Sequence, residues 1–120
     1  MDSPDIDEWI ADVKAEPGSE SVGMMLAHQG VVRGTRRTGE PVRGMALRAD
    51  RDRFARALAE AAAMTGVFAV RGWVNEGELA VGDDIMKVLV AGDIRENVVA
   101  ALQHLVAVVK NEAVSETELR

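Results

Sequence analysis

The chain of 120 residues has no cysteine, so it has no disulfide framework, no thiolate metal site and no cysteine nucleophile. Tyrosine is also missing, and the aromatics are only Trp9, Phe54, Phe68 and Trp73, which leaves little surface for stacking nucleic-acid bases. His28 and His104 do not make a zinc site on their own. No apolar run approaches the roughly 18 residues of a membrane span. The first residues, Met1-Asp2-Ser3-Pro4-Asp5, are acidic and show no secretory h-region. Walker, GxGxxG and HExxH motifs and a Ser-His-Asp order are all missing. The sequence thus predicts no metal, no resident cofactor, no nucleic-acid or membrane partner, and a cytoplasmic location.

What is present is an ordinary globular balance, with 48% hydrophobic and 28% charged residues, and the length suits a single domain over residues 1–120. The net charge of −6 hides an asymmetry. Eight of the eleven arginines (Arg33, Arg36, Arg37, Arg43, Arg48, Arg51, Arg53 and Arg56) fall in one stretch that holds only Glu40, Asp50 and Asp52 as carboxylates. A guanidinium is a planar fork that meets phosphate or carboxylate with two bonds, so a local arginine cluster in an acidic chain points to a small anionic ligand. A polyanion would be repelled by the overall field. Arg48 to Arg56 reads most simply as a solvated helix face.

Periodicity gives the elements. Ser3 as N-cap and Pro4 at the first helical position predict a short helix carrying Ile6, Trp9, Ile10 and Val13, ended by Glu16-Pro17-Gly18. Val22 to Val32 suits a buried strand, in which Gly30 implies a bulge or a close backbone approach. A polar loop, Gly34 to Pro41, leads to a strand over Val42 to Leu47. Asp50 caps a helix to about Met64, with Gly66 as its stop. Val67 to Val74 and Ile85 to Ala91 are strands, with a short segment Glu78 to Val81 between them. Asp93 with Glu96 reads as a capping box for a last helix with the stripe Val98, Leu102, Leu105 and Val109. The order α-β-β-α-β-β-α predicts an α+β fold, a layer of helices on a mostly antiparallel sheet.

Few residues in this frame could do chemistry. His28, in an apolar strand, reads as a satisfied buried imidazole rather than a catalyst, and His104 as a solvated one. Lys110 falls at the border of the last helix's apolar stripe, beside Val99 and Val106. A lysine there either snorkels to solvent or, if desolvated, has a lowered pKa and acts as nucleophile or general base. Arg95 sits on the inward side of the same helix, but about 22 Å away at 1.5 Å per residue. The two cannot share one small-ligand pocket within a chain. If both act, a second copy must complete the site.

Gly23-Met24-Met25-Leu26-Ala27-His28-Gln29-Gly30-Val31-Val32-Arg33 resembles the GAVxxFxGxVR strand of the large, catalytic subunit of molybdopterin synthase, the MoaE family. Gly77-Glu78-Leu79-Ala80-Val81-Gly82-Asp83-Asp84-Ile85 looks like that family's GELxxGDxxV segment. From there the match runs without gaps through Arg95, placed like the Arg of an AHR motif, to Lys110, placed like the Lys of a YLK motif. The resemblance implies that family's fold and a homodimer that binds two small ubiquitin-like sulfur carriers as a heterotetramer. It implies sulfur transfer from the carrier's thiocarboxylated C-terminus to cyclic pyranopterin monophosphate, giving molybdopterin. Carried over, Arg33 would hold the substrate phosphate, and Val31 and Val32 would line its pocket through backbone groups. Arg95 would reach in from the neighbouring subunit, and Lys110 would stand at the reacting centre.

The sequence departs from that pattern in places. Ile94 replaces the His before the family's Arg, and Thr117 falls where a second active-site lysine is expected. The stretch after Lys110 has lost its Pro and aromatic pair and gained Glu112, Glu116 and Glu118. Each lost charge-assisted hydrogen bond to a phosphate would weaken binding by about 1–3 kcal/mol. The sequence therefore supports two readings: a sulfurtransferase, or a dimeric relative that binds a ubiquitin-like partner or an anionic ligand without turnover.

Overall fold

The structure, a computed structural model, describes residues 3–119. Its elements are α1 (Ile6–Ala15), β1 (Met24–Val31), β2 (Gly44–Ala49), α2 (Arg51–Ala62), β3 (Val67–Val74), β4 (Gly77–Ala80), β5 (Asp84–Gly92), α3 (Arg95–Val108) and β6 (Val114–Leu119). A 3-10 turn over Ser19–Ser21 precedes β1, and a π turn over Val109–Ala113 joins α3 to β6. The α+β class and the antiparallel pairing are as the sequence implies, but the order is longer. Glu78 to Ala80 pairs as part of β4, and the C-terminal segment adds β6. There are two three-stranded sheets, ordered β1-β5-β3 and β4-β2-β6, where one was expected.

β5 is the centre of the first sheet, and it is buried on both faces. Met86, Val88 and Val90 join the main core with Phe54, Ala57 and Ala61 of α2 and Val98, Ala101 and Leu105 of α3. Leu89 and Ala91 face the other way, onto Val13, with Trp9 and Ile10 of α1 packed around them. This two-sided burial explains why Val88 to Ala91 of β5 reads as a continuous apolar run rather than an alternating one. The second sheet enters the main core through Leu47 and Leu79.

Three helix ends differ from expectation. Asp5, not Ser3, caps α1 by accepting a hydrogen bond from the Asp7 amide at 2.8 Å. The Ser3 hydroxyl donates instead to Asp84. α3 has Ile94 at its N-cap with no side-chain cap, so the Asp93–Glu96 capping box does not form. Asp93 instead accepts from the Ile94 amide at 2.6 Å and from Asn97 Nδ2 at 2.9 Å. α2 ends at Ala62, earlier than Gly66, which supplies a left-handed turn (φ +76°) into β3. Asp50 caps α2 as expected, accepting from the Arg53 amide.

Candidate active site

The end of β1 is where the chain first builds something other than core. The β1–β5 ladder slips between Gly30 and Val31, where β5 carries the extra residue, Ile85, opposite them. Past it, Val32 is buried while Val31 is 48% exposed. The Val32 amide donates to the Asp83 carbonyl and its carbonyl accepts from the Gly82 amide, both at 2.9 Å. These two bonds tie the end of β1 to the Gly82–Asp83 turn between β4 and β5. Arg33 follows immediately, with its Nε donating to the Thr35 carbonyl at 2.8 Å. That bond uses one of five guanidinium donors.

The loop that follows is tied to itself. Arg36 and Glu40 are linked from the Arg36 amide to the Glu40 carbonyl at 2.8 Å, and a turn closes from the Gly39 amide to the Arg36 carbonyl at 2.9 Å. Arg36 also pairs with the side chains of Glu40 (3.2 Å) and Glu118 of β6 (3.0 Å). The loop, the end of β1, the start of β2, β6 and the π turn enclose a cavity of about 630 Å³. Val31, Val32, Val42, Met45 and Ile85 give it aliphatic wall. Arg33, Arg36, Arg37 and Lys110 supply four cations, against the carboxylates of Glu116 and Glu118.

Lys110 reaches this wall because α3 does not end as an ordinary α-helix. The π turn keeps Val109 and Ala113 buried and leaves Lys110 exposed at the cavity. Wider turns of this kind often occur at functional sites. Two other contacts hold the turn in place. Arg53 of α2 donates to Glu112 from both Nε and Nη2, and the Asp50 amide donates to the Ala113 carbonyl at 2.7 Å. With its side chain only 14% exposed, Arg53 is a strut and not part of a solvated face. His28, half-buried on β1, lies within the field of Lys110. Burial first, and then that positive charge, hold its imidazole below the ordinary value.

The structure thus brings Val31, Val32, Arg33 and Lys110 to one cavity, although 77 positions separate Arg33 from Lys110. It leaves Ile94, Arg95 and Thr117 outside. Arg95 and Ile94 are exposed at the opposite end of α3, so the expected inward placement of Arg95 is wrong for the single chain. Lys110 is exposed, so the desolvated alternative does not hold in the isolated chain. Thr117 lies between Glu116 and Glu118, and strand alternation turns it to the other face of β6. Arg36 and Arg37, by contrast, were read in the sequence as members of the arginine cluster that points to a small anionic ligand, without being singled out as site residues. Their adjacency, three positions after Arg33 in the arginine-rich stretch, was the available signal.

The family model described as MoaE protein matches residues 2–112. The chain belongs to the MoaE family. Solved structures agree on the fold. The molybdopterin biosynthesis MoaE protein from Burkholderia ambifaria MC40-6 superposes with a TM-score of 0.76 at 20% identity, over 99% of this chain and 84% of that one. Molybdopterin synthase from Staphylococcus aureus gives 0.71 at 17% identity, over 83% of this chain and 76% of that one. A protein–protein complex of subunits 1 and 2 of molybdopterin-converting factor from Helicobacter pylori 26695 gives 0.69 at 16% identity, over 97% and 79%. No curated protein matches the chain. In the MoaE frame, the cavity is built around the Gly30-Val31-Val32-Arg33 strand end and the Lys110 turn. Among the described residues, no helix is long and apolar enough to cross a membrane.

Proposed function

We propose that the chain works as the catalytic subunit of a molybdopterin synthase, a single domain over residues 1–120 acting in the cytoplasm. Sulfur passes from the thiocarboxylated C-terminus of a small ubiquitin-like subunit to cyclic pyranopterin monophosphate. The role in molybdenum cofactor biosynthesis follows from membership of the MoaE family. The observation that carries the specific reaction is Arg33 and Lys110 on the wall of one cavity. A phosphate ester needs a fixed cationic fork, and a flat heterocycle needs apolar wall; the cavity supplies both.

In this reading Arg33 takes the phosphate and Lys110 faces the thiocarboxylate. The thiocarboxylate sulfur bonds to a substrate carbon as an oxygen leaves that carbon. Water then attacks the acyl carbon, so that the acyl–sulfur bond breaks to give the carrier's carboxylate and a substrate thiolate. The Lys110 ammonium counters the negative charge that grows on the acyl oxygen and departing sulfur. Arg95, out of reach within its own chain, completes the site of a second copy in a homodimer. Ile94 travels with it and brings no proton carrier. Thr117, turned away from the cavity, is not the functional stand-in for a lysine. The second reading, a partner-binding relative without turnover, is favoured by one observation: Glu116 and Glu118 face the cavity where cations would be expected.

The experiment combines the chain, the thiocarboxylated small subunit and cyclic pyranopterin monophosphate, and follows dithiolene formation. Wild type should form molybdopterin, and Lys110→Ala should lose about 10²–10³ in rate, the usual cost of one group stabilising transition-state charge. Unchanged activity in Lys110→Ala would remove this mechanism. Tight small-subunit binding with no dithiolene would establish the non-catalytic reading.

A further inference from the structure

We propose that the loop between β1 and β2 forms a second anion-binding pole of the cavity, with Arg37 as its standing cation and Arg36 as a reserve held by Glu118. This rests on the reading of the cavity as a pterin-phosphate site and names residues that reading does not use. Arg36 and Arg37 both line the cavity, on a loop braced by its own turn and by the Thr35–Pro41 bridge. They share the cavity wall with Glu116 and Glu118 of β6, a strand that carries no cation among its described residues. The loop thus provides the positive charge that Thr117, turned to the other face, does not.

The two arginines differ in state. Arg37 has no hydrogen-bond or ion-pair partner among the described residues. Arg36 is engaged by Glu40 and, through Nε, by Glu118 of β6. Side-chain exposures of 33% for Arg36 and 41% for Glu118 make this a wet pair, and wet pairs are weak. A phosphate oxygen offers the same guanidinium a charge-assisted bond with more charge behind it. Glu118 therefore competes with the ligand. Bound anion takes Arg36, and the carboxylate of β6 is released toward solvent. The empty cavity is partly self-neutralised, and weak or singly charged anions do not displace the internal carboxylate.

The full-length chain is titrated with inorganic phosphate and, separately, with cyclic pyranopterin monophosphate at constant ionic strength, by calorimetry. Arg37→Ala is expected to weaken both about tenfold, the scale of one lost charge-assisted bond. Glu118→Gln is expected to tighten both several-fold, and Arg36→Ala to cancel that gain in the double variant, which is the mark of coupling rather than a general charge effect. All three side chains stand at the surface of the cavity, and a circular dichroism melt of each variant confirms folding. The proposal is overturned if Arg37→Ala binds as wild type does, or if Glu118→Gln tightens binding equally with and without Arg36. The dithiolene assay separates the two ideas. Sulfur transfer with loop variants that bind normally sinks the loop and keeps the enzyme. Loop-dependent phosphate affinity with no sulfur transfer keeps the loop and sinks the enzyme.

Discussion

His28 and Gly92 show how single residues set conditions for the rest. His28 is depressed first by burial and second by Lys110, so the folded state takes up its proton less readily than the unfolded chain, whose imidazole titrates near 6.5. The unfolded state then binds more protons as pH falls, and stability must drop from about pH 6.5 downward. His28→Phe should flatten urea midpoints between pH 7 and pH 5; a wild-type curve already flat over that range would refute the assignment. Asp84 acts in a lower window. Its carboxyl is lowered chiefly by the hydrogen bond from Gln29, against the opposing effect of burial, with smaller help from Ser3 and Lys87. Its contribution is present above the ordinary 3.8 and disappears as pH falls through the lowered value. Gly92 makes a steric demand instead. A Cβ there would lie 2.5 Å from the Gly66 carbonyl oxygen and 2.8 Å from Val98. The Gly66 carbonyl accepts the Asp93 amide, so it cannot retreat freely. Gly92→Ala should cost about 1–3 kcal/mol in denaturant unfolding, the usual price of overpacking.

At the scale of elements, the strongly periodic segments were legible and the C-terminus was not. The stripe of α3 predicted the burial of Val98, Leu105 and Val109, and Leu102 packs beside them half-buried. The strand Val67–Val74 is recovered to the residue, because apolar and β-branched residues, interrupted only by Arg71 and Gly72, fill the span between Gly66 and Asn75. Gly30 marked where the register slips beside the site, although the extra residue, Ile85, is on β5. β6 was missed because Ser115-Glu116-Thr117-Glu118 offers no apolar face to read. It is a charged edge strand, held by its backbone ladder to β2 rather than by side-chain burial. That omission hid half the cavity: without β6 on the edge of β2, nothing says that Glu118 meets Arg36. Two of the three helix caps failed. Ser3 and Asp93 are both good capping residues, but Ser3 is drawn to a distant partner, Asp84, and Asp93 is taken by the Ile94 amide and Asn97 beside it. Arg33 and Lys110 were individually visible; their meeting needed the π turn, which no periodicity announces.

At the scale of the whole molecule, the placement of α3 decides how many chains make a site. Its axis carries Lys110 at the cavity and Arg95 at the far end, about 22 Å apart at the α-helical rise. Ile94, 52% exposed next to Arg95, is an apolar group that a single chain leaves in water. Both facts fit a two-fold assembly in which each cavity takes Arg95 from the other copy, and that assembly is open to a complementation test. Arg95→Ala and Lys110→Ala should each be inactive alone in dithiolene formation. Unfolded and refolded together in equal amounts, they distribute at random, and half of the dimers contain one chain of each kind. In such a dimer one cavity has lost both groups and the other has kept both, so activity should return to about a quarter of the wild-type level. If the arginine and lysine acted within one chain, no mixture could restore a complete site, and activity would stay at the level of the separate variants.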